Sequence, residues 1–161
     1  MNPDKQFLLE QIANHLRERL EAFDQSAREA HAKATHEQNK AENKYDTRAI
    51  EASYLAEGQA RQALEVAKAT QELESFHPPS FGSKDAIALG ALVELRTPLE
   101  SHWYFLAPCA GGSELSWNEQ TVLVLTPQSP LGQQLVGRKT GELIAMQLGR
   151  ERFKYKVNRV L

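Results

Sequence analysis

The segment FHPPSFGS, residues 76–83, separates two parts of the chain that differ sharply in composition. Tandem prolines lack amide donors and keep the preceding residue out of helical geometry, so a helix that reaches this segment must end there. Before residue 77 the chain has fourteen alanines and one glycine, and the other eight glycines come after it. The first part is therefore predicted to be helical and the second to consist of strands and turns.

These observations predict three regions: a helical hairpin at 1–76, a linker at 77–83 and a β-rich domain at 84–161. Charge divides at the same place, because residues 1–76 carry a net charge of −4 and the remainder carries +2. The expected fold class is α+β, with the helical part and the β-rich part consecutive along the chain.

Composition also excludes several classes of protein. The single cysteine, Cys109, leaves no internal disulfide and no cysteine-cluster metal site, which fits a reducing cytoplasm. No apolar run approaches the roughly 20 residues of a membrane helix, and the first residues lack the layout of a signal peptide. A net charge of −2 argues against nonspecific coating of nucleic acid. We expect a cytoplasmic protein with a protein partner and no membrane contact.

Both predicted helices carry a narrow apolar stripe. Pro3 suits the first helical position, and the stripe of the first helix then advances by three and four residues through Leu9, Ile12, Leu16, Leu20, Phe23, Ala27, Ala30 and Ala34. The second stripe, interrupted by Gln59, comprises Tyr45, Ala49, Ala52, Ala56, Ala63, Val66, Thr70 and Leu73. Two long, narrow stripes are buried most simply against each other. This predicts an antiparallel coiled-coil hairpin whose turn lies near residue 40.

The predicted tip of the hairpin, residues 37–46, is polar and breaks both stripes. It contains three carboxylates, Glu37, Glu42 and Asp46. In one interpretation the tip is a solvated turn whose acidic groups cap the second helix. In the other, the hairpin carries these carboxylates into a cavity, where hard oxygen ligands share a magnesium ion. Spacing alone leaves both interpretations open.

Alternation and turn residues predict five strands and one short helix after the linker. The strands are predicted at 88–95, 102–107, 121–125, 143–148 and 153–161, and the short helix at 130–136. Trp103, Tyr104 and Phe105 are interpreted as core aromatics rather than as a stacking platform for bases. Cys109 has no basic neighbour in the sequence that would make it a nucleophile.

The segment SPLGQQLVGRKTGE, residues 129–142, resembles the C-terminal domain of the Gre family of bacterial transcription elongation factors. That domain is FKBP-like and carries a Ser-Pro-led short helix, a Leu-x-Gly-Lys/Arg turn and a Gly-Asp/Glu pair that enters the next strand. Here Ser129-Pro130, Leu135–Arg138 and Gly141-Glu142 occupy these places. The resemblance covers essentially the whole chain, because the family also has an N-terminal helical hairpin and a short linker.

The resemblance implies a partner and a mechanism. Gre factors dock their C-terminal domain on the rim of the secondary channel of RNA polymerase and insert the hairpin, which implies docking through Ser129, Pro130 and Leu131. In the cleavage-stimulating members, tip carboxylates help to hold a second magnesium ion, and the polymerase hydrolyses backtracked RNA. Such a factor is not itself an enzyme, binds no cofactor alone and approaches the 3′ end of the nascent RNA.

The tip departs from the pattern of the cleavage-stimulating members, which is Asp, two residues, Glu-Asn, two residues and Tyr. This chain has NKAENKY at 39–45, so Glu42 and Asn43 match, whereas Asn39 replaces the acid and Tyr45 comes one residue early. An asparagine oxygen carries no charge with which to capture magnesium. The candidate ligands of a magnesium ion shared with the polymerase active centre are therefore Glu42, Asp46 and Glu37.

Three other hypotheses stay open. A noncleaving regulator would occupy the secondary channel and compete with cleavage factors. An FKBP-like domain would instead be a prolyl isomerase or chaperone, which requires a concave aromatic pocket. An alanine-rich hairpin would alternatively serve as a dimerisation element, although a monomer is the expectation.

Overall fold

The computed structural model describes residues 3–37, 47–148 and 151–161. Two long helices come first, α1 (Pro3–Glu37) and α2 (Thr47–Ser75). Within the described residues six strands and one short helix follow: β1 (Leu92–Arg96), β2 (Ser101–Leu106), β3 (Glu114–Trp117), β4 (Gln120–Leu125), α3 (Pro130–Leu135), β5 (Leu143–Leu148) and β6 (Glu151–Val160). Two helices followed by one sheet confirm the predicted α+β class.

Helices α1 and α2 lie side by side and run antiparallel. One groove between them is lined by residues 6–13 of α1 and by residues 73–77, at and just after the end of α2. A second groove is lined by residues 19–26 of α1 and residues 54–62 of α2. Residue numbers fall along one helix as they rise along the other, so the helices form the expected antiparallel hairpin.

The buried side chains of both helices are spaced three and four residues apart. In α1, Leu8, Ile12 and Leu16 are buried, and beyond Phe23 the described side chains are exposed. The stripe begins at Leu8 where the sequence predicted Leu9, which is only half-buried. Buried or half-buried positions of α2 include Gln59, Ala63, Val66, Thr70 and Leu73. Such spacing keeps one face buried over residues 8–16 of α1 and 59–73 of α2. The predicted stripes do not continue as buried faces beyond these ranges, because Ala27, Ala30 and Ala56 are exposed.

The chain divides into two compact units. One consists of Met1–Ala13 together with Glu72–Leu161, and the other of Asn14–Gln71. The first turns of α1 and the last residues of α2 thus belong to the same unit as the sheet. The boundaries predicted at residues 76 and 84 stay predictions. In the part of the chain that the structure describes, no helix combines the length and apolarity needed to cross a membrane.

The strands form one mixed sheet in the order β3-β4-β2-β1-β6-β5. Strands β2 and β4 are parallel, and the other neighbouring pairs are antiparallel. Because side chains alternate along a strand, the sheet has two faces. The face that packs against α3, called the core face here, buries Val93, Leu95, Tyr104, Leu106, Leu125, Ile144 and Val157 together with Leu131 and Leu135.

Polar side chains fasten the start of α1 within the sheet unit. Gln11 Nε2 donates to the Ser116 carbonyl at 2.8 Å, and the Ser116 amide donates to Gln11 Oε1 at 2.9 Å. Lys5 is 1% exposed, donates to the Pro79 carbonyl at 2.7 Å and lies 4.4 Å from the centre of the Phe81 ring. Burial lowers the pKa of Lys5 to about 8. These contacts tie α1 to β3 and to residues 79–81.

The structure corrects two of the strand predictions. Strand β1 begins at Leu92 rather than at residue 88, because Gly90 adopts a φ of 88° in the preceding turn. Strand β3 is absent from the predicted set, although it pairs with β4 in a tight hairpin. Asn118 and Glu119 form the turn with φ values of 47° and 62°. Turns with two positive φ values normally contain glycine, so the usual hairpin signal is missing here.

Candidate functional site

The predicted tip lies between the two long helices. Helix α1 ends at Glu37 and α2 begins at Thr47, so nine residues, 38–46, connect them. Five predicted site residues lie in this connection and fall outside the described residues: Asn39, Glu42, Asn43, Tyr45 and Asp46. The side chain of Glu37 also falls outside the described part. The roles assigned to these six residues stay predictions.

The described residues contain no cluster suited to a metal ion. Among residues 3–37, 47–148 and 151–161, no three His, Cys, Asp or Glu side chains come together in a way that could hold one. The magnesium prediction does not concern this part of the chain. It rests on the carboxylates of the tip, Glu42, Asp46 and Glu37, whose oxygen atoms are the ligand type that magnesium prefers.

A groove of about 430 Å³ lies between the helices within the 14–71 unit. It passes Gly58, which has no side chain, and Ala22, whose side chain is short. Tyr54 and Leu55 line the groove and are 71% and 65% exposed, and Arg19 adds a cation. This part of the hairpin presents apolar and charged groups together, a combination that suits contact with a protein surface.

Ser129 begins helix α3 as a capping residue. Its φ of −65° and ψ of 152° are extended, and Pro130 occupies the first turn of the helix. Ser129 Oγ accepts a hydrogen bond from the Gly132 amide at 3.1 Å and donates one to the Thr126 carbonyl at 2.7 Å. One hydroxyl therefore caps the helix and closes the turn before it.

The three residues predicted to dock on the polymerase differ in exposure. Pro130 is exposed, Ser129 is half-buried, and Leu131 is 8% exposed within the core. Leu131 therefore offers little surface to a partner and acts by holding the turn. The docking role of this segment stays a prediction. Of the three residues, Pro130 is the one whose side chain is exposed to solvent.

Gly132 is a residue of this turn that sequence reasoning missed. A Cβ atom at this position would collide with the Thr126 carbonyl oxygen and come within 2.8 Å of Ser129 Oγ. The capped turn therefore requires glycine. Its role could have been predicted from its position, because the amide of the third residue after a capping serine donates a hydrogen bond to the serine side chain.

The motif that follows α3 consists of glycine turns joined to neighbouring segments. Gly137 and Gly141 have φ values of 84° and 94°, which other residues rarely adopt. The Gly137 amide donates to the Ile87 carbonyl, and the Ile87 amide donates to the Arg138 carbonyl, both at 2.8 Å. Arg138 also forms an ion pair with Glu142 at 3.1 Å. The residues of the resemblance thus have a clear structural role.

The aromatic run of β2 and the single cysteine, considered from the sequence as a stacking platform and as a nucleophile, are both buried. Trp103, Tyr104 and Phe105 are at most 9% exposed, which confirms them as core aromatics. Burial raises the pKa of the Cys109 thiol, and the Glu72 carboxylate raises it further. A thiol with a raised pKa stays protonated at neutral pH and is a poor nucleophile.

Solved structures similar to this chain include two bacterial Gfh1 proteins. Gfh1 of Thermus aquaticus is 18% identical, with 91% of this chain and 92% of that chain covered and a TM-score of 0.39. Gfh1, the GreA factor homolog 1, of Thermus thermophilus is 17% identical, with 92% and 94% covered and a TM-score of 0.38. The similarity is to Gre-type transcription factors.

A further similar structure is the transcription elongation factor GreA/GreB of Nitrosomonas europaea. It is 16% identical, with 59% of this chain and 78% of that chain covered and a TM-score of 0.37. No protein-family model matches the sequence, and no curated protein sequence matches it. Likeness of this degree transfers no role to any residue.

Proposed function

We propose that this chain is a Gre-type transcription factor that binds RNA polymerase and inserts its helical hairpin into the secondary channel. The observation that carries the proposal is a pair of antiparallel helices of 35 and 29 residues joined by a short connection. At about 1.5 Å per residue, the longer helix measures roughly 50 Å. A hairpin of this length suits a probe that carries its connecting residues to a distant site.

The connection has the chemistry that such a probe needs. It contains Glu42 and Asp46, and Glu37 ends the preceding helix. Carboxylates delivered beside the active centre of the polymerase would add oxygen ligands for magnesium, which supports phosphoryl transfer. The polymerase would perform the hydrolysis, and the chain itself is not an enzyme in this proposal.

The capped turn at residues 129–132 supports the same partner. Pro130 is exposed on a turn that Ser129 and Gly132 hold in one conformation, and a rigid apolar projection suits docking against helices. The sequence around this turn is also the part that resembles Gre factors. A factor with this partner acts in the cytoplasm, with contact to the 3′ end of the nascent RNA.

A noncleaving regulator is the second candidate, and one residue favours it. Asn39 stands where the cleavage-stimulating pattern has an aspartate, so the tip has one charged ligand fewer at that position. A hairpin that fills the channel without completing the magnesium site would compete with cleavage factors. Both candidates share polymerase binding and differ only in RNA cleavage.

A stalled, backtracked elongation complex separates the two candidates. Purified polymerase complexes are incubated with the protein, and shortening of the RNA and polymerase binding are measured in the same samples. A cleavage factor accelerates shortening, and replacing both Glu42 and Asp46 by alanine abolishes the acceleration while binding persists. A channel-occupying regulator binds without shortening the RNA.

The matched control replaces two exposed carboxylates of α2, Glu57 and Glu65, by alanine. This variant removes the same charge from the hairpin away from its tip and should behave like the original chain. Cleavage that persists in the tip variant would refute the ligand assignment. A chain that fails to bind the polymerase at all would refute the proposed function.

A further inference from the structure

The sheet face opposite the core face carries an exposed row of residues across four strands. Arg96 of β1 is paired with Lys156 of β6, and Lys156 is paired with Leu143 of β5. Ser101 of β2 continues the row beside Arg96. Paired residues of antiparallel strands point to the same face, and all four of these side chains are exposed. We call this side of the sheet the open face, although only its end near this row is exposed, and Leu92, Trp103, Phe105 and Val122 on the same side are buried.

A third cation, Lys154, lies two residues from Lys156 on the same strand and opposite Ala145. Side chains at this spacing share a face and stand about 7 Å apart. We call Arg96, Lys154 and Lys156 the basic row. Among the described residues, no carboxylate lies within ion-pair distance of the basic row.

The carboxylate closest to the basic row in register is already engaged. Glu94 shares the open face with Arg96, but its Oε2 accepts a hydrogen bond from Asn158 at 2.7 Å and lies 3.4 Å from Arg159 Nε. Glu94 is also 8% exposed. Its charge is therefore directed to Arg159 rather than to the basic row.

The basic row does not help the fold. Like charges directly opposite each other on antiparallel strands are destabilising, and Arg96 and Lys156 form such a pair. A local arrangement that opposes folding without a compensating contact is typical of a surface kept for function.

An exposed apolar side chain borders the same surface. Residues 97–100 connect β1 to β2, and Thr97 Oγ1 accepts hydrogen bonds from the amides of Leu99 and Glu100 at 3.3 and 3.1 Å. A concavity of about 310 Å³ is lined by this loop together with the open-face residues Glu94, Arg96 and Ser101. Leu99 lines that concavity and is 96% exposed. An ordered apolar anchor beside charged residues is typical of protein interfaces.

We propose that the basic row and Leu99 form a docking surface for an acidic segment of RNA polymerase, separate from the Ser129 turn on the core-face side. The inference rests on the proposed function of the chain. Charge complementarity favours an acidic occupant, because three cations face solvent together, and the one exposed carboxylate lining the concavity, Glu100, lies 3.0 Å from His102. Leu99 and Leu143 supply apolar contact for a protein, and the described open-face residues around the basic row include no exposed aromatic ring for stacking bases.

Charge reversal at Arg96 tests the surface without endangering the fold. In Arg96→Glu the new carboxylate faces Lys156, so an opposite-charge pair replaces a like-charge pair and the melting temperature should stay equal or rise. Binding to core RNA polymerase should weaken roughly tenfold, because a like charge then faces the acidic partner. Leu99→Ser should weaken binding without changing its dependence on salt.

Lys84→Glu is the matched control, since Lys84 is exposed and the change in net charge is the same. Binding of each variant to the polymerase, and to a short single-stranded RNA as a second probe, is measured at low and high salt. Weaker polymerase binding by Arg96→Glu but not by Lys84→Glu would support the docking surface.

Other outcomes overturn the inference in distinguishable ways. Arg96→Glu binding as tightly as the original chain would refute the docking surface while leaving the proposed function intact. Tight RNA binding that Arg96→Glu abolishes would reassign the basic row to nucleic acid. A chain that does not bind the polymerase would refute the proposed function and this docking surface with it.

Discussion

The side chain of Gln11 pairs with the edge strand β3, where the backbone of a further strand could otherwise pair. Ser116 lies on β3, at one edge of the sheet, and both of its backbone groups are paired with the Gln11 side-chain amide. An exposed strand edge with unpaired amides and carbonyls invites pairing with another chain. A single helical residue thus blocks part of this edge and joins α1 to the sheet within one unit.

Lys5 contributes a stability term that depends on pH. Its ammonium group is buried and bonded to a carbonyl oxygen and an aromatic ring, and burial lowers its pKa from 10.5 to about 8. Between these two values the unfolded chain binds more protons than the folded chain. The cost of burying the charge is fully present below pH 8 and is relieved as pH rises toward 10.5.

We therefore expect the chain to gain stability relative to a Lys5→Met variant as pH rises. From about pH 7 to about pH 9.5 the difference in unfolding free energy should shift by about 2 kcal/mol in favour of the lysine. Urea unfolding at both pH values measures this shift, with the exposed Lys84→Met as control. Burial raises the pKa of Tyr104, but this residue is present in both chains, so its titration cancels from the difference. A difference independent of pH would contradict the buried cation.

At the scale of elements, two glycines with opposite environments predict opposite effects of alanine. Gly58 lies within α2, and a Cβ atom there would meet nothing within 4 Å. Gly90 has a φ of 88°, and a Cβ atom there would come within 2.8 Å of Pro79 Cδ. Gly58→Ala should stabilise the chain by about 0.5 to 1 kcal/mol, because alanine favours helix.

Gly90→Ala should destabilise the chain by at least about 1 kcal/mol, since it combines an unfavourable φ with a close contact. Thermal unfolding followed by circular dichroism compares the two variants directly. If both substitutions changed the stability by the same amount, the difference between the open space at Gly58 and the close contacts at Gly90 would be contradicted.

The elements that sequence periodicity predicts best are those with uninterrupted patterns. Strand β5 lies at 143–148 as predicted, and the two long helices lie in the predicted helical region, although beyond Phe23 the described side chains of α1 are exposed. Strand β3 escaped prediction because Asn118 and Glu119 make a turn that normally uses glycine. A prediction from local sequence therefore misses this turn, because neither of its two residues is the glycine that usually marks positive φ values.

The same reasoning explains which parts of the candidate sites could be predicted. The Ser129 cap follows from a serine before a proline, because both preferences are local. The basic row does not follow from any local pattern. Arg96 and Lys156 are sixty residues apart in sequence, and only the pairing of β1 with β6 brings them together. Register between distant strands is decided by packing of the whole sheet.

At the scale of the whole molecule, the proposed tasks fall on different parts of the chain. In the proposed function the sheet unit would supply the docking residues, and the hairpin would carry the connection with its carboxylates. The Cys109 thiol is 9% exposed and its pKa is raised, so a cysteine introduced elsewhere on the surface can be labelled selectively. This property makes it possible to find where the hairpin goes when the protein binds its partner.

The most direct test of hairpin insertion is a cross-link from the connecting residues. A Lys40→Cys variant carrying a photoactivatable cross-linker is bound to a backtracked elongation complex, with the same label on Lys84→Cys as control. The account predicts cross-links from residue 40 to the 3′ end of the RNA and to polymerase residues lining the secondary channel, and none of these from residue 84. Stable binding to the polymerase without such cross-links from residue 40 would contradict hairpin insertion.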